Sequence, residues 1–77
     1  MVRRMEAEYT QHALKRMAQR GISRREVESV LAEPLIDRPS KDNPGCRIVT
    51  GRPDGRKVEV VVVKDSKPPR VVSVWDS

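Results

Sequence analysis

The chain has 77 residues, twelve of them Val and none of them Phe, and its 16 Lys and Arg against 11 Asp and Glu give a formal net charge of +5 at pH 7. A chain of this length fits one domain over residues 1–77 and hides only roughly 60% of its unfolded surface, and its composition excludes an aromatic-lined ligand pocket. One cysteine and one histidine exclude an intramolecular disulfide and a zinc site built by the chain alone, so we expect neither a metal nor another cofactor.

The first segment, Val2 to Tyr9, is ambiguous between an edge strand and a helical turn. Met5, Ala7 and Tyr9 alternate with charged residues as in a strand, whereas Met, Glu and Ala also suit a helix. We predict the strand. The chain opens without the apolar run of a signal peptide, and no later run approaches the ~18 apolar residues of a membrane span. We therefore expect a cytoplasmic protein without a membrane partner.

A first helix is predicted from Thr10 to Arg20. Thr10 can cap its start with a side-chain oxygen, and Gly21 can supply the left-handed residue at its end. Apolar residues recur at spacings of three and four, which predicts a buried stripe made of Leu14, Met17 and Ala18.

A second helix follows at once, because Ser23-Arg24-Arg25-Glu26 forms a capping box. Ile22 before the cap can pack on Val27 in a hydrophobic staple. The pattern predicts a buried face of Val27, Val30 and Leu31, and Pro34 predicts an end near Ala32 or Glu33. Together the two helices are predicted to form a tight helical hairpin.

The second half of the chain predicts strands joined by turns. The polar, breaker-rich run from Leu35 to Gly45 is predicted to be a loop. Three strands are predicted after it, at Cys46 to Arg52, Arg56 to Lys64 and Arg70 to Asp76, with turns at Pro53-Asp54-Gly55 and at Asp65-Ser66-Lys67-Pro68-Pro69. The fold class is therefore α+β, a two-helix hairpin on a three- or four-stranded antiparallel sheet in the order (β)ααβββ.

Helices on one side of this sheet would leave its other face open to solvent or to a partner. Strand residues of mixed character are candidates for that face, namely Arg47, Lys57, Glu59, Ser73 and Trp75. Since basic side chains and a tryptophan can contact phosphates and bases, we include Arg47, Lys57 and Trp75 among the candidate nucleic-acid-binding residues. The alternative for Trp75 is packing in the core or on the sheet face.

The strongest candidate site is on the first helix, where His12, Arg16 and Arg20 recur every four residues. At 100° per residue His12 and Arg16 lie about 40° apart, so they share a surface. Cleavage of RNA by its own 2′-hydroxyl requires a base, cationic groups for the phosphorane-like charge and an acid for the leaving oxygen. His12 is the candidate base, and Arg16 and Arg20 are the candidate phosphate donors and nucleic-acid-binding residues.

The acid is missing from this set, since the chain has no second histidine. Tyr9 or a strand arginine would have to serve, and no spacing indicates either. The alternative interpretation is structural: His12 and Arg16 form a solvated or sheet-bonded polar face, and Arg20 binds carbonyl oxygens at the end of the helix.

The residues of both helices resemble a small bacterial domain of unknown function. Its signature is His-Ala-x-x-Arg-Met-x-x-Arg-Gly-Ile, followed by a helix that ends in Val-Leu-x-x-Pro. The matching segments are His12-Ala13-Leu14-Lys15-Arg16-Met17, Arg20-Gly21-Ile22-Ser23, Glu26-Val27 and Val30-Leu31-Ala32-Glu33-Pro34. The Val-rich strands Lys57 to Val63 and Val71 to Trp75 are also similar to the closing hairpin of that family.

That domain is similar in architecture to the RelE/ParE and BrnT toxin group, in which two helices pack on a small antiparallel sheet. The resemblance implies a RelE-like domain that interacts with RNA or the ribosome, a metal-independent endoribonuclease acting on mRNA, and an antitoxin protein as partner. The alternative is a non-catalytic basic module that binds nucleic acid or an acidic protein. A plain scaffold with internally bonded arginines is the third hypothesis.

Overall fold

The computed structural model describes residues 6–76 and confirms the α+β class. Its elements follow in the order βααββββ: β1 (Glu8–Tyr9), α1 (Gln11–Arg20), α2 (Arg24–Ala32), β2 (Ile36–Pro39), β3 (Cys46–Gly51), β4 (Val58–Val63) and β5 (Arg70–Asp76). The strands form one five-stranded sheet in the order β1-β5-β4-β3-β2. The start of the first predicted strand, Val2 to Met5, lies outside the described residues.

The predicted ends of α1 and the predicted start of α2 are confirmed. Thr10 Oγ1 accepts a hydrogen bond of 3.1 Å from the N–H of Ala13, and Gly21 has the left-handed φ of 64° that ends α1. At the start of α2, the N–H of Glu26 donates to Ser23 Oγ and the N–H of Ser23 donates to Glu26 Oε1, each at 3.1 Å. Local capping chemistry therefore sets the three-residue separation of the helices.

The buried stripe of α1 differs from the predicted one. Ala13 and Met17 are buried, at 0% and 5% exposure, whereas Leu14 is 39% exposed and Ala18 is exposed. The cause is the packing of the helices: α1 packs on β5, and α2 packs on β4 and β3. The side of α1 that carries Leu14 and Ala18 would be covered only by a closely packed neighbouring helix. The predicted burial of Met17 is confirmed, and the predicted burial of Leu14 and Ala18 is wrong.

The core lies between the helices and one face of the sheet. Valines at alternate positions of β4 point toward the helices, as the pairing of Val60 with Val74 and of Val60 with Val49 shows. The buried cluster consists of Ala13, Met17, Ile22, Val27, Val30, Val49, Val58, Val60, Val62, Val71 and Val74. Val61 is only 4% exposed on the opposite face, so valines on both faces of the central strand are confirmed.

Two strands extend the predicted β3-β4-β5 meander. β1 is parallel to β5, with Tyr9 paired to Val71, which makes the sheet mixed. β2 occupies the other edge, antiparallel to β3, within the run that was predicted to be a loop. That prediction is wrong for Ile36–Pro39, because all four residues of this edge strand are exposed and an edge strand tolerates polar residues and proline.

Gly51 is required by the close approach of β3 to α2. A Cβ at this position would lie 3.1 Å from Val30 Cγ2 and 3.3 Å from Val30 Cα. We expect Gly51→Ala to lower the free energy of unfolding by about 1–2 kcal/mol, because overpacking forces the helix away from the sheet. Urea denaturation measures this loss.

Two comparisons make the Gly51 prediction specific. Gly45→Ala is the matched control, since a Cβ there meets nothing within 4 Å. Val30→Ala removes the side-chain atoms that a Cβ at Gly51 would meet, so the double variant should lose less stability than the sum of the single variants. Additive losses would show that the methyl groups of Val30 are not the cause.

Candidate nucleic-acid interface

The outer surface of α1 is cationic. The sequence of α1 contains Lys15, Arg16 and Arg20 and no acidic residue. His12, Lys15 and Arg16 are exposed, while Ala13 and Met17 hold the helix on the sheet. Within residues 6–76, neither Lys15 nor Arg16 takes part in an ion pair. These two side chains are therefore available to an anionic ligand.

His12 and Arg16 lie on the same flank of α1, as the spacing predicted. His12 occupies the second position of the helix, and its side chain is exposed. Gln19, which is also exposed, follows His12 by seven residues and falls on nearly the same side of the helix. The flank thus combines hydrogen-bonding groups with a guanidinium.

Arg20 is placed differently from His12 and Arg16. Its Nη1 lies 3.9 Å from Asp76 Oδ1, at the end of β5, and its side chain is 48% exposed. The carboxylate of Asp76 offsets part of the charge of Arg20. The three residues named from the spacing therefore divide into an exposed pair, His12 and Arg16, and an arginine that contacts the sheet.

The strand candidates do not join this surface. Arg47 is paired with Val62 of the core and so lies on the helix side of the sheet, where its Nε donates to Asp37 Oδ1 at 2.9 Å. Lys57 Nζ lies 3.5 Å from Glu59 Oε1. Trp75 is half-buried opposite Glu59, on the face away from the helices. Each of these two cations faces a carboxylate, which weakens its attraction for phosphate.

Arg56 is an important residue that the sequence patterns did not indicate. Its Nη2 donates to Glu26 Oε2 at 2.8 Å and to the carbonyl oxygen of Gly21 at 3.0 Å. Its Nη1 donates to Asp76 Oδ2 at 3.3 Å and to the carbonyl oxygen of Arg20 at 3.5 Å. One guanidinium therefore joins the end of α1, the start of α2 and the end of β5.

Glu26 connects this arginine to the capping box. The backbone N–H of Ser23 holds the pKa of the Glu26 carboxyl below its ordinary value, and the hydrogen bond and charge of Arg56 act in the same direction. Burial opposes these effects. The ionised carboxylate is thus the form that the fold stabilises.

Tyr9, a candidate for the missing acid, is directed toward α2. Its phenol donates to Glu28 Oε2 at 3.3 Å, and the guanidinium carbon of Arg24 lies 5.2 Å from the centre of its ring. Burial raises the pKa of Tyr9 to about 12, and the negative charge of Glu28 adds to the effect. A phenol with this pKa is a weaker acid than an ordinary tyrosine.

The raised pKa of Tyr9 can be measured directly, because the chain has one tyrosine. We expect the phenolate absorbance of the folded protein to rise with a midpoint near pH 12, and that of the urea-unfolded protein near pH 10. Glu28→Gln should lower the folded midpoint by removing the carboxylate. A midpoint near pH 10 in the folded protein would contradict the burial and the bond to Glu28.

A shallow depression of about 140 Å³ lies away from α1, at the end of α2. It is lined by Ser29, Val30, Glu33, Leu35, Arg52 and Pro53. None of the candidate site residues named from the sequence belongs to it. The candidate interface on α1 is therefore a convex helix surface, which suits an extended polymer better than an enclosed small molecule.

A membrane-spanning helix and a metal-binding cluster are both absent from residues 6–76. No helix there is both long and apolar enough to cross a membrane. The same residues contain no group of three or more His, Cys, Asp or Glu side chains arranged to hold a metal ion.

Comparison with known proteins identifies a family but no activity. The family described as "Domain of unknown function (DUF4258)" matches residues 9–76. No curated protein and no solved structure matches the chain. The match covers both helices and all strands except the first residue of β1, and these comparisons provide no link to the RelE/ParE or BrnT toxins.

Proposed function

The chain belongs to the DUF4258 family, and we propose that it is a nucleic-acid-binding module that contacts the phosphate backbone of RNA through α1. The observation that carries this proposal is the cationic helix surface. His12, Lys15 and Arg16 are exposed on a helix that has no acidic residue. A phosphate chain that follows α1 would meet two side-chain cations without displacing an ion pair within the described residues.

The chemistry of these side chains suits phosphate. The guanidinium of Arg16 can donate two parallel N–H bonds to phosphate oxygens, and the ammonium of Lys15 supplies a neighbouring point charge. Such contacts position a nucleic acid without reading its sequence. Because Ala13 and Met17 are buried under the helix, the cations are carried by a rigid element.

Two features support RNA as the nucleic acid. The exposed amides of Gln11 and Gln19 and the imidazole of His12 can exchange hydrogen bonds with 2′-hydroxyl groups, which distinguish RNA from DNA. The second feature is the resemblance that the sequence suggested: a RelE-like domain would act on RNA or the ribosome, whereas ParE relatives act on DNA gyrase. Single-stranded DNA of the same sequence, which lacks the 2′-hydroxyl groups, is therefore the comparison ligand.

The test is binding of a labelled single-stranded RNA of about 12 nucleotides at a low salt concentration of about 50 mM. Fluorescence anisotropy should show saturable binding, and the amide signals that shift on titration should map to α1. Absence of binding at this salt concentration would contradict the proposal. Shifts confined to β2 or to the open sheet face would also contradict it.

A second candidate function is RNA cleavage, because the imidazole of His12 and the guanidinium of Arg16 share one exposed flank. His12 would take the proton of a 2′-hydroxyl, the resulting oxygen would attack phosphorus to form a 2′,3′-cyclic phosphate, and the 5′-oxygen would leave after gaining a proton. The bond between Tyr9 and Glu28 leaves water or an RNA group as the donor of that proton.

Cleavage is tested on the same RNA. We expect His12→Ala to abolish cleavage by the purified domain while its circular dichroism and RNA affinity are retained. Such a result would extend the proposal to a toxin-like ribonuclease with an antitoxin partner. If the protein binds the RNA without cleaving it, the ribonuclease hypothesis is wrong and the protein is a binding module.

A further inference from the structure

Two exposed apolar residues lie at the start of the edge strand β2. β2 lies at the opposite edge of the sheet from β1, and all of its residues are exposed. Within residues 6–76, three large hydrophobic side chains are exposed, and two of them are neighbours here: Leu35 at 66% and Ile36 at 53%. The third, Leu14, is 39% exposed on α1.

The depression at the end of α2 adjoins this edge. Leu35 is part of its lining, Val30 and Pro53 form apolar walls, and Arg52 and Glu33 contribute charge. The depression is open to solvent, and its volume of about 140 Å³ leaves room for part of a side chain of a partner. An aliphatic or aromatic side chain of a partner could therefore enter beside Leu35.

The charges of the edge favour an acidic partner. Arg38 and Arg52 are exposed, and neither takes part in an ion pair within the described residues. Asp37 is engaged by Arg47, which leaves Glu33 as the acidic residue that lines the depression. Two copies of this chain joined at this edge would bring four arginines together, so the charge disfavours a second copy.

The backbone of β2 offers a short pairing site. The N–H of Ser40 donates to the carbonyl oxygen of Cys46 at 3.0 Å, and the N–H of Leu35 donates to that of Thr50 at 2.8 Å. Between these two bonds, Ile36 and Arg38 direct their backbone groups to β3. Asp37 then directs its N–H and C=O outward. Pro39 has no N–H and limits further pairing. A partner strand could bond to Asp37, but side chains would supply most of the affinity.

We propose that the β2 edge, meaning Leu35, Ile36, Arg38, Arg52 and the adjoining depression, binds an extended segment of another protein. The segment has an apolar anchor residue that enters the depression beside Leu35. Acidic residues next to the anchor meet Arg38 and Arg52, and one backbone pair forms at Asp37. This surface is separate from α1 and does not depend on RNA binding.

The experiment uses synthetic nonapeptides in which Leu, Ile or Phe stands among Asp and Glu, with matched peptides in which Lys replaces the acidic residues. Calorimetric titration should detect binding of acidic peptides only. The amide signals that shift should belong to residues 35–38 and to Ser29 and Arg52. The variant Leu35→Ser/Ile36→Ser should bind the acidic peptides with an affinity lower by a factor of about ten or more, because it lacks the two exposed apolar side chains.

Leu14→Ser is the matched control, since it removes the other exposed leucine, and it should leave peptide affinity unchanged. RNA affinity should also be unchanged in Leu35→Ser/Ile36→Ser, so failure of this proposal and failure of the proposed function are distinguishable. Equal binding of basic peptides, absence of peptide binding, or shifts that map to α1 would overturn the proposal. Sedimentation showing a dimer that Leu35→Ser/Ile36→Ser disrupts would overturn it in favour of a second copy.

Discussion

Replacement of Arg56 by Ala is expected to lower the free energy of unfolding by about 2 kcal/mol, because the variant loses charge-assisted hydrogen bonds. The guanidinium is bound by two carboxylates, those of Glu26 and Asp76, and by two backbone carbonyl oxygens. Its side chain is only 33% exposed. Without it, Glu26, whose side chain is 14% exposed, loses its cation, and α1 loses a cap at its C-terminal end.

Arg52→Ala is the matched control for this prediction, because Arg52 lies four residues earlier and takes part in no ion pair within residues 6–76. We expect its loss to change stability by no more than about 0.5 kcal/mol. Arg56→Lys should restore part of the stability, since an ammonium cannot bind the same four acceptors in one plane. Equal losses for Arg56→Ala and Arg52→Ala in urea denaturation would contradict the assigned role.

The same cluster predicts a dependence of stability on pH. The pKa of Glu26 is lowered from its ordinary value of 4.5 by the Ser23 N–H and by Arg56. A carboxyl with a lowered pKa in the folded state contributes stability that is present above the unfolded pKa and is lost as the pH falls through the folded pKa. The stability difference between wild type and Glu26→Gln should therefore be largest near neutral pH and should shrink in acid. A constant difference would contradict this linkage.

The second large effect is expected at α1. Lys15→Ala/Arg16→Ala should weaken RNA binding about thirtyfold at low salt. Each lost phosphate contact in water costs about 1 kcal/mol of binding free energy, and two such losses correspond to this factor. Both side chains are exposed, so the fold should be retained. Anisotropy titration measures the affinity, and circular dichroism verifies the helices.

A charge-matched variant separates local contacts from net charge. Arg38→Ala/Lys41→Ala also removes two cations, but from the side of the sheet that carries β2, whereas α1 packs on β5. If α1 is the interface, the control variant should bind RNA nearly as well as wild type. An equal loss in both variants would mean that binding depends on the overall charge of +5 and not on α1.

Features that depend on neighbouring residues in sequence were predicted correctly. Thr10, Gly21 and the pair Ser23 and Glu26 act within one helical turn, so residue type and spacing are sufficient to predict them. The shared flank of His12 and Arg16 also follows from their spacing of four residues. The strands β3, β4 and β5 were predicted because runs of valine are interrupted by clear turn residues.

Features that depend on distant residues were missed. The strand at Ile36–Pro39 has no alternating pattern, because an edge strand with every residue exposed does not require one. Leu14 was assigned to the core because apolar periodicity indicates that one side of the helix is buried. Periodicity does not indicate how much of the helix circumference the neighbouring elements cover. Arg56 contacts residues from 20 to 36 positions away, and no local pattern indicates such a contact.

The central claim, that α1 binds the phosphate backbone, is tested most directly by the salt dependence of RNA affinity. A plot of the logarithm of the binding constant against the logarithm of salt concentration should have a negative slope in the wild type. In Lys15→Ala/Arg16→Ala the slope should be smaller in magnitude by about 1.4, because each lost phosphate contact on single-stranded nucleic acid removes about 0.7. An unchanged slope in this variant would contradict the claim.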